Sequence, residues 1–269
     1  MEFRKILSLS LSGLLLFMSL ATLCIAQEQQ QETETHLTVR ALAADAKFIG
    51  SSMGGAKITI KNAENGEILD FGVTEGGTGN TNLLMRTPKK RYMDISDETA
   101  AKYETTLILN KPTLVTIEAE APQNQLQSTI KASKQLWLIP GKHITGDGII
   151  IEIPGFSVDI VEPRTPSSTS TANENEAGGG VTIRANIVMM CGCPTSDGGL
   201  WDSQKFDTQA IVYRDNKKIG EFPLNNTSNS SEFTGIFKPT QKGVYLVTVY
   251  AFDPRTGNAG VDKTSIIVR

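Results

Sequence analysis

Length, composition and charge already limit what this chain can be. Its 269 residues fit one or two domains, and a formal net charge of −3 gives no basic excess to attract nucleic acid or an anionic membrane. Three cysteines are too few for a disulfide framework, so ordinary hydrophobic cores must hold the domains together.

The first 26 residues have the layout of a secretory signal peptide. Two basic residues, Arg4 and Lys5, precede an apolar run that ends near Leu23, and a short segment ending at Ala26 leads into a Gln-rich stretch. We expect cleavage after Ala26 and export to the periplasm or the extracellular space. A lipid anchor on Cys24 and an uncleaved membrane anchor are the alternatives. The remaining chain has no second apolar run long enough to span a bilayer.

A first β-rich module is predicted at 36–161, after a disordered leader at 27–35 that is rich in Gln and Glu. The pair Asn65-Gly66 predicts a tight hairpin turn inside it. A short helix is predicted from Ser96 to Tyr103, because a capping residue is followed there by acidic residues. Alternating polar and apolar residues predict strands at 36–42, 57–61, 68–73, 105–109, 113–119, 128–139, 148–153 and 156–161.

A linker and a second β-rich module are predicted to follow. Residues 162–180 are rich in Ser, Thr, Gly and Pro without apolar periodicity, which predicts a flexible linker. The second module, 181–269, shows short strands with no helix signal between them. Its strands are predicted at 181–189, 207–213, 218–222, 232–237, 244–252 and 262–268. The whole pattern predicts an all-β protein of two antiparallel β-sandwich domains.

Both modules resemble known β-sandwich families. The segments Gly243–Asp253, Gly257–Gly260 and Thr264–Val268 resemble the closing strands of bacterial immunoglobulin-like domains. The segments Gly55–Ile60, Asn65–Leu69 and Thr74–Gly79 make the first module similar to the prealbumin-like, carboxypeptidase regulatory-like domain of secreted proteins. These resemblances imply modules that hold or bind a partner and have no catalytic residues of their own, and a fold alone does not settle function.

The segment from Met189 to Cys193 is the most unusual side-chain cluster. Thioether and thiolate sulfurs are soft ligands that suit Cu(I), so Met189, Met190, Cys191 and Cys193 form a candidate copper site. In a straight strand the first and last of these residues would lie about 13 Å apart, at ~3.3 Å per residue, so a single-ion site requires a bend at Gly192. The same bend would allow a Cys191–Cys193 disulfide. A structural disulfide or packed thiols, copper binding and thiol redox chemistry stay open.

Other motifs carry weaker signals. The segment Gly50–Gly54 has the spacing of a nucleophile elbow around Ser52, but a strand rather than a helix is predicted after it and only His143 lies downstream. We therefore expect a loop there. The glycine-rich stretch Glu75–Asn80 lacks the lysine and the helix of a phosphate loop, so we expect a long β-connection. His36 and His143 lie far apart in sequence and have no ligand spacing around them.

Polar and aromatic residues of the second module complete the set of candidates. Asn225, Asn226 and Asn229 each begin an N-x-[ST] pattern and are predicted to lie in a polar surface loop. Aromatic residues make up only 6% of the chain, which disfavours a carbohydrate platform, and Trp201 is the one candidate for such a platform.

The sequence thus predicts a non-catalytic, exported binding or scaffolding protein. It would act on a protein or cell-envelope partner rather than on nucleic acid, with no cofactor. A periplasmic Cu(I)-binding protein is the alternative function.

Overall fold

The protein is almost entirely β-structure. The computed structural model describes residues 31–165, 167–170 and 180–269, and sixteen strands lie within these ranges. The predicted signal peptide, residues 27–30 of the predicted leader, and residues 166 and 171–179 of the predicted linker lie outside them. No helix among the described residues is long and apolar enough to cross a membrane.

The first seven strands form two facing sheets. Three strands form a sheet in the order β4-β1-β7, and four form a sheet in the order β3-β2-β5-β6. Most neighbours are antiparallel, as predicted, but β1 and β7 run parallel. The strands are β1 (Thr33–Ala43), β2 (Lys57–Asn62), β3 (Ile68–Val73), β4 (Tyr103–Leu109), β5 (Thr113–Ala121), β6 (Ile130–Leu138) and β7 (Ile144–Ile153).

The remaining nine strands form a second pair of sheets. One has the order β13-β14-β10-β8 and the other the order β12-β11-β15-β16-β9. Inward-facing residues alternate with exposed ones along β10 and β15, which is why the sequence pattern located these strands well. The strands are β8 (Phe156–Glu162), β9 (Ser167–Thr169), β10 (Val181–Met189), β11 (Asp207–Arg214), β12 (Lys217–Pro223), β13 (Asn225–Asn226), β14 (Glu232–Phe237), β15 (Gly243–Phe252) and β16 (Ala259–Val268).

The predicted leader and linker boundaries need correction. Strand β1 begins at Thr33, which pairs with Leu109, so the end of the predicted leader is ordered sheet. Strand β8, predicted as the last strand of the first module, pairs with β10 in the second pair of sheets. Inside the predicted linker, β9 pairs in parallel with β16. An edge strand of this kind is polar and only partly buried, so it has no apolar periodicity for the sequence to show.

The predicted helix from Ser96 to Tyr103 is wrong. The carboxylate of Asp147 accepts hydrogen bonds from the backbone N–H of Ile95 (2.9 Å), from the backbone N–H of Ser96 (2.8 Å) and from the hydroxyl of Ser96 (2.5 Å). The capping residue is therefore bound to strand β7 instead of a helix end. The helical turn in this region lies earlier, at Asn82–Arg86.

One apolar core runs through both pairs of sheets. Its buried members include Ile58 and Ile117 from the first pair and Ile183 and Val247 from the second. Directional bonds accompany this packing. The indole N–H of Trp201 donates to the carbonyl of Asp45 (2.8 Å). The two halves are thus joined by side-chain contacts as well as by the chain.

Asn258 makes a second directional link between the halves. The residue is buried, and its side-chain amide donates to the carbonyl of Ala44 (3.1 Å). Its side-chain oxygen accepts from the backbone N–H of Gly155 (2.8 Å). One amide group therefore satisfies a carbonyl just after β1 and an N–H just before β8, which fixes the loop after β15 against both.

Candidate functional site

The predicted sulfur cluster lies in a tight turn after β10. The backbone N–H of Gly192 donates to the carbonyl of Met189 (2.7 Å), and the N–H of Met189 donates to the carbonyl of Cys193 (3.0 Å). Gly192 adopts a φ of 76°, a left-handed conformation that glycine tolerates without a steric cost. The chain therefore reverses at Gly192, and Cys191 and Cys193 form a disulfide with their Cα atoms 5.3 Å apart.

All four residues of the cluster are buried. Met189, Met190, Cys191 and Cys193 are each at most 5% exposed. The disulfide form provides no thiolate, so only the two thioethers of the four predicted ligands remain as soft donors. Copper binding at these residues accordingly stays a prediction, and it requires prior reduction of the disulfide.

A fifth sulfur lies against the same turn. A Cβ atom on Gly192 would come 2.7 Å from the Sδ atom of Met53, so the thioether packs directly over the glycine. Sequence reasoning missed this neighbour because Met53 and Gly192 are far apart in the chain. Among the described residues, no group of three or more His, Cys, Asp or Glu side chains is placed to hold a metal ion.

The nucleophile-elbow motif lies in a loop. Ser52 belongs to a single helical turn, Ser51–Met53, and β2 follows it. The Nδ1 atom of His143 accepts a hydrogen bond from the backbone N–H of His36 (3.1 Å), so this ring is not engaged with Ser52. In the part of the chain that the structure describes, the serine has no general base beside it.

Backbone amides of the glycine-rich connection are engaged in hydrogen bonds within the protein. The N–H of Gly76 donates to the hydroxyl of Ser51 (3.1 Å), and the N–H of Gly77 donates to the carbonyl of Thr99 (2.6 Å). Backbone amides that are bound internally are not free to cradle an anion. The segment is a β-connection, as the sequence predicted.

The two histidines, distant in sequence, are neighbours in space. The ring centroids of His36 and His143 lie 4.5 Å apart on the exposed surface. Because Nδ1 of His143 accepts a hydrogen bond, the neutral ring carries its proton on Nε2, and that nitrogen cannot bind a metal ion. The pair is therefore a poor metal site in this arrangement.

A polar cleft in the second pair of sheets was not predicted from the sequence. It is open to solvent and has a volume of about 760 Å³. It is lined by residues 196–197, 203–204, 206–208, 223–230 and 233, a set that we call the hydroxyl cleft. Most of these side chains are hydroxyls or primary amides. The N-x-[ST] loop at Asn225–Asn229, predicted only as polar surface, forms one of its walls.

Internal hydrogen bonds shape both walls of the hydroxyl cleft. The carboxylate of Asp202 accepts from the N–H of Gly198 (3.0 Å) and of Gln204 (3.2 Å), and these bonds hold its pKa below the usual range. On the other wall, Glu232 accepts from the hydroxyl of Thr227 (3.0 Å) and the amide of Asn229 (3.1 Å). The cleft is therefore largely pre-formed.

Two hydroxyls of the cleft have no partner. Ser203 is 5% exposed and Thr208 is 6% exposed, and neither side-chain oxygen has a hydrogen-bond partner within the described residues. Among the described residues, the only other buried side-chain nitrogen or oxygen atoms without a hydrogen-bond partner are the Nε atoms of Arg40 and Arg184. An unpaired buried hydroxyl costs about 1–3 kcal/mol, so these two positions are unfavourable in the free protein.

Trp201 does not form an exposed platform. It is 7% exposed, and its indole N–H is bound to the carbonyl of Asp45. Two other aromatic residues, Phe206 and Phe233, line the cleft, and Phe233 is buried. Phe206 is half-buried and packs edge-on against Phe156 with the ring centroids 4.8 Å apart.

Comparisons with known proteins give likenesses at the level of fold only. No protein-family model and no curated protein matches the chain. Among solved structures, it is similar to fibronectin(III)-like modules of CbhA from Clostridium thermocellum, with 10% identity, a TM-score of 0.24 and coverage of 88% of this chain and 94% of that one. It is also similar to the I67–I69 fragment of titin, with 13% identity, a TM-score of 0.24 and coverage of 89% and 66%.

A further similar structure is latent PorU from Porphyromonas gingivalis, with 11% identity and a TM-score of 0.26. The likeness covers 88% of this chain but 24% of that one. Scores this low carry no argument about function. The immunoglobulin-like assignment of the second module and the prealbumin-like assignment of the first stay predictions.

Proposed function

We propose that this chain is a non-catalytic, exported binding protein that holds its partner in the hydroxyl cleft. The observation that supports it is the pair of unpaired, buried hydroxyls of Ser203 and Thr208 in the wall of a pre-formed cleft. Buried hydroxyls without a partner lower the free energy of unfolding of the free protein. A ligand that offers them hydrogen-bond partners would offset this loss in the complex. Sites used for binding are often unfavourable for stability in this way.

Occlusion of the cleft tests this proposal. Ser228 lines the cleft, is exposed and makes no side-chain hydrogen bond among the described residues, so Ser228→Trp should fill the cleft without removing a structural contact. The matched control is Ser133→Trp on the exposed face of β6. The immobilised full chain should retain a component of cell-envelope material from the producing cells, and Ser228→Trp alone should lose it. Equal retention by both variants, or none by the unmodified chain, would contradict the proposal.

Copper binding is a second candidate, favoured by the convergence of sulfurs at the turn. The reversal at Gly192 brings Cys191 and Cys193 together, and the thioether of Met53 packs on the same glycine. A two-electron reduction of the disulfide by an external thiol would convert it to two thiols, whose thiolates are soft ligands.

A titration against a competing Cu(I) chelator tests this candidate. Reduced protein should take one Cu(I) from the chelator, and oxidised protein should take none. Replacing both cysteines by alanine should abolish the transfer. If reduced protein takes no copper, the candidate is excluded.

A further inference from the structure

We infer that the ligand of the hydroxyl cleft is a neutral oligosaccharide chain, an assignment that rests on the proposed function. Besides the two unpaired hydroxyls, the side chains of Asn225, Ser228 and Ser230 line the cleft. Hydroxyls and primary amides both donate and accept hydrogen bonds, and neighbouring sugar hydroxyls require that combination. A cleft of about 760 Å³ lies in the size range of sites that bury a small ligand.

The charges around the cleft exclude an anionic ligand. No Lys or Arg is among the lining residues, whereas Asp197 and Asp207 are. Asp207 is already engaged, because its carboxylate accepts from Gln209 (2.8 Å) and from the hydroxyl of Tyr250 (3.2 Å). Arg255 lies over the Phe206 ring, with its guanidinium carbon 6.0 Å from the ring centroid, but it is paired with Asp253 (2.8 Å). Sulfated, phosphorylated and uronic-acid chains would therefore meet carboxylates without a free cation among the lining residues.

The apolar part of the cleft is small and suits the C–H face of a sugar ring. Phe206 supplies a half-buried aromatic surface, while Leu224 and Phe233 are buried in the core. A peptide added as a strand would need a long free sheet edge at the cleft, and β13 on this side is only two residues long. The other edge strand, β12, reaches the cleft only at Pro223, which has no N–H to donate to an added strand. The geometry therefore favours a glycan over a peptide.

Binding should use the two unpaired hydroxyls directly. Each oxygen is almost sealed in the free protein, so a rotation about χ1 has to turn it toward the ligand. Removing the hydroxyl therefore has opposite effects on two quantities. Its removal should raise the stability of the free protein and lower the affinity for the sugar. Removal of a purely structural hydroxyl would instead lower the stability and leave the affinity unchanged.

A glycan array followed by calorimetric titration tests the inference. The array carries neutral glucans, mannans, galactans and xylans, with sulfated and uronic-acid chains for comparison. We expect the full chain to bind at least one neutral oligosaccharide and no anionic one. Thr208→Val and Ser203→Ala should each weaken that binding about tenfold, roughly the loss of one hydrogen bond. The control Thr264→Val, a buried threonine of the same sheet outside the cleft, should bind like the unmodified chain.

Two outcomes would overturn the inference, and they are distinguishable from failure of the proposed function. If folded protein binds no neutral glycan, or binds one equally well with Ser228→Trp, the sugar assignment is wrong. If it nevertheless retains a protein or peptide that Ser228→Trp loses, the cleft is a binding site for a different class of ligand. If nothing is retained through the cleft, both the inference and the proposed function fail.

Discussion

At the scale of single residues, two buried threonines of one sheet provide a direct contrast. Thr208 on β11 has an unpaired hydroxyl, whereas the hydroxyl of Thr264 on β16 donates to the carbonyl of Pro163 (2.8 Å). Thr208→Val should raise the free energy of unfolding by about 1 kcal/mol, because a methyl group replaces an unsatisfied hydroxyl. Thr264→Val should lower it by about 1–3 kcal/mol. Urea denaturation measures both, and a loss of stability with Thr208→Val would mean that its hydroxyl has a structural partner.

A second residue-scale prediction concerns acid stability. Burial alone would raise the pKa of Asp70, but hydrogen bonds from Thr105 and from the hydroxyl of Tyr103 (2.7 Å) outweigh it and hold the pKa below its usual range. Burial, together with the same carboxylate, raises the pKa of Tyr103 to about 12. Asp70 on β3 thereby links its sheet to β4 of the facing sheet.

The sign of the acid effect follows from that lowered pKa. A carboxyl group with a lowered pKa in the folded state contributes stability above its unfolded pKa of about 3.9 and loses it as the pH falls further. Asp70→Asn should lower stability at neutral pH and flatten the loss between pH 4 and pH 2. Measuring the urea midpoints of both proteins across this pH range tests the prediction. A variant with an acid profile as steep as that of the unmodified chain would contradict the assignment.

At the scale of elements, the turn at Gly192 has a matched counterpart at Gly66. Both glycines have a φ of 76°, but a Cβ atom on Gly66 meets nothing within 4 Å, whereas one on Gly192 would collide with Met53. Gly66→Ala should cost about 1–2 kcal/mol for the left-handed conformation alone. Gly192→Ala should cost at least about 1 kcal/mol more, because the packed thioether has to move. Equal losses in thermal denaturation would show that the sulfur packing at the turn is loose.

The strands show how far local sequence determines the fold. Strands β3, β10 and β14 begin and end at the predicted residues, because one face of each is more buried than the other or a turn residue marks its end. The sequence did not indicate β9 or β13. Both are short, polar edge strands that are held by a neighbouring strand and not by their own pattern.

The candidate site was predictable only in part. The reversal at Gly192 and the disulfide were among the three alternatives that the sequence left open, because glycine and the Cys-x-Cys spacing are local signals. The hydroxyl cleft was not anticipated, since the chain segment with Ser203 and Thr208 meets the Asn225–Ser230 segment only through sheet packing. No local pattern shows that a buried hydroxyl lacks a partner.

At the scale of the whole molecule, the two pairs of sheets should unfold together. One apolar core runs through both, and Trp201 adds a hydrogen bond from its indole N–H to the carbonyl of Asp45 in the other half. Scanning calorimetry of the full chain should show one transition. Trp201→Phe should lower its midpoint, because an indole hydrogen bond worth about 1 kcal/mol is lost. The control Trp137→Phe, on the exposed face of β6, should leave the midpoint unchanged. Two well-separated transitions would indicate independent domains.

The claim that the hydroxyl cleft is the binding site is tested most directly by hydrogen exchange of the full chain, with and without the envelope component that it retains. Bound ligand should slow exchange of backbone amides in 203–208 and 223–230, the segments that line the cleft. Exchange in β6, on the opposite pair of sheets, should be unchanged. Protection confined to other surfaces, with the two cleft segments exchanging as fast as in the free protein, would contradict the account.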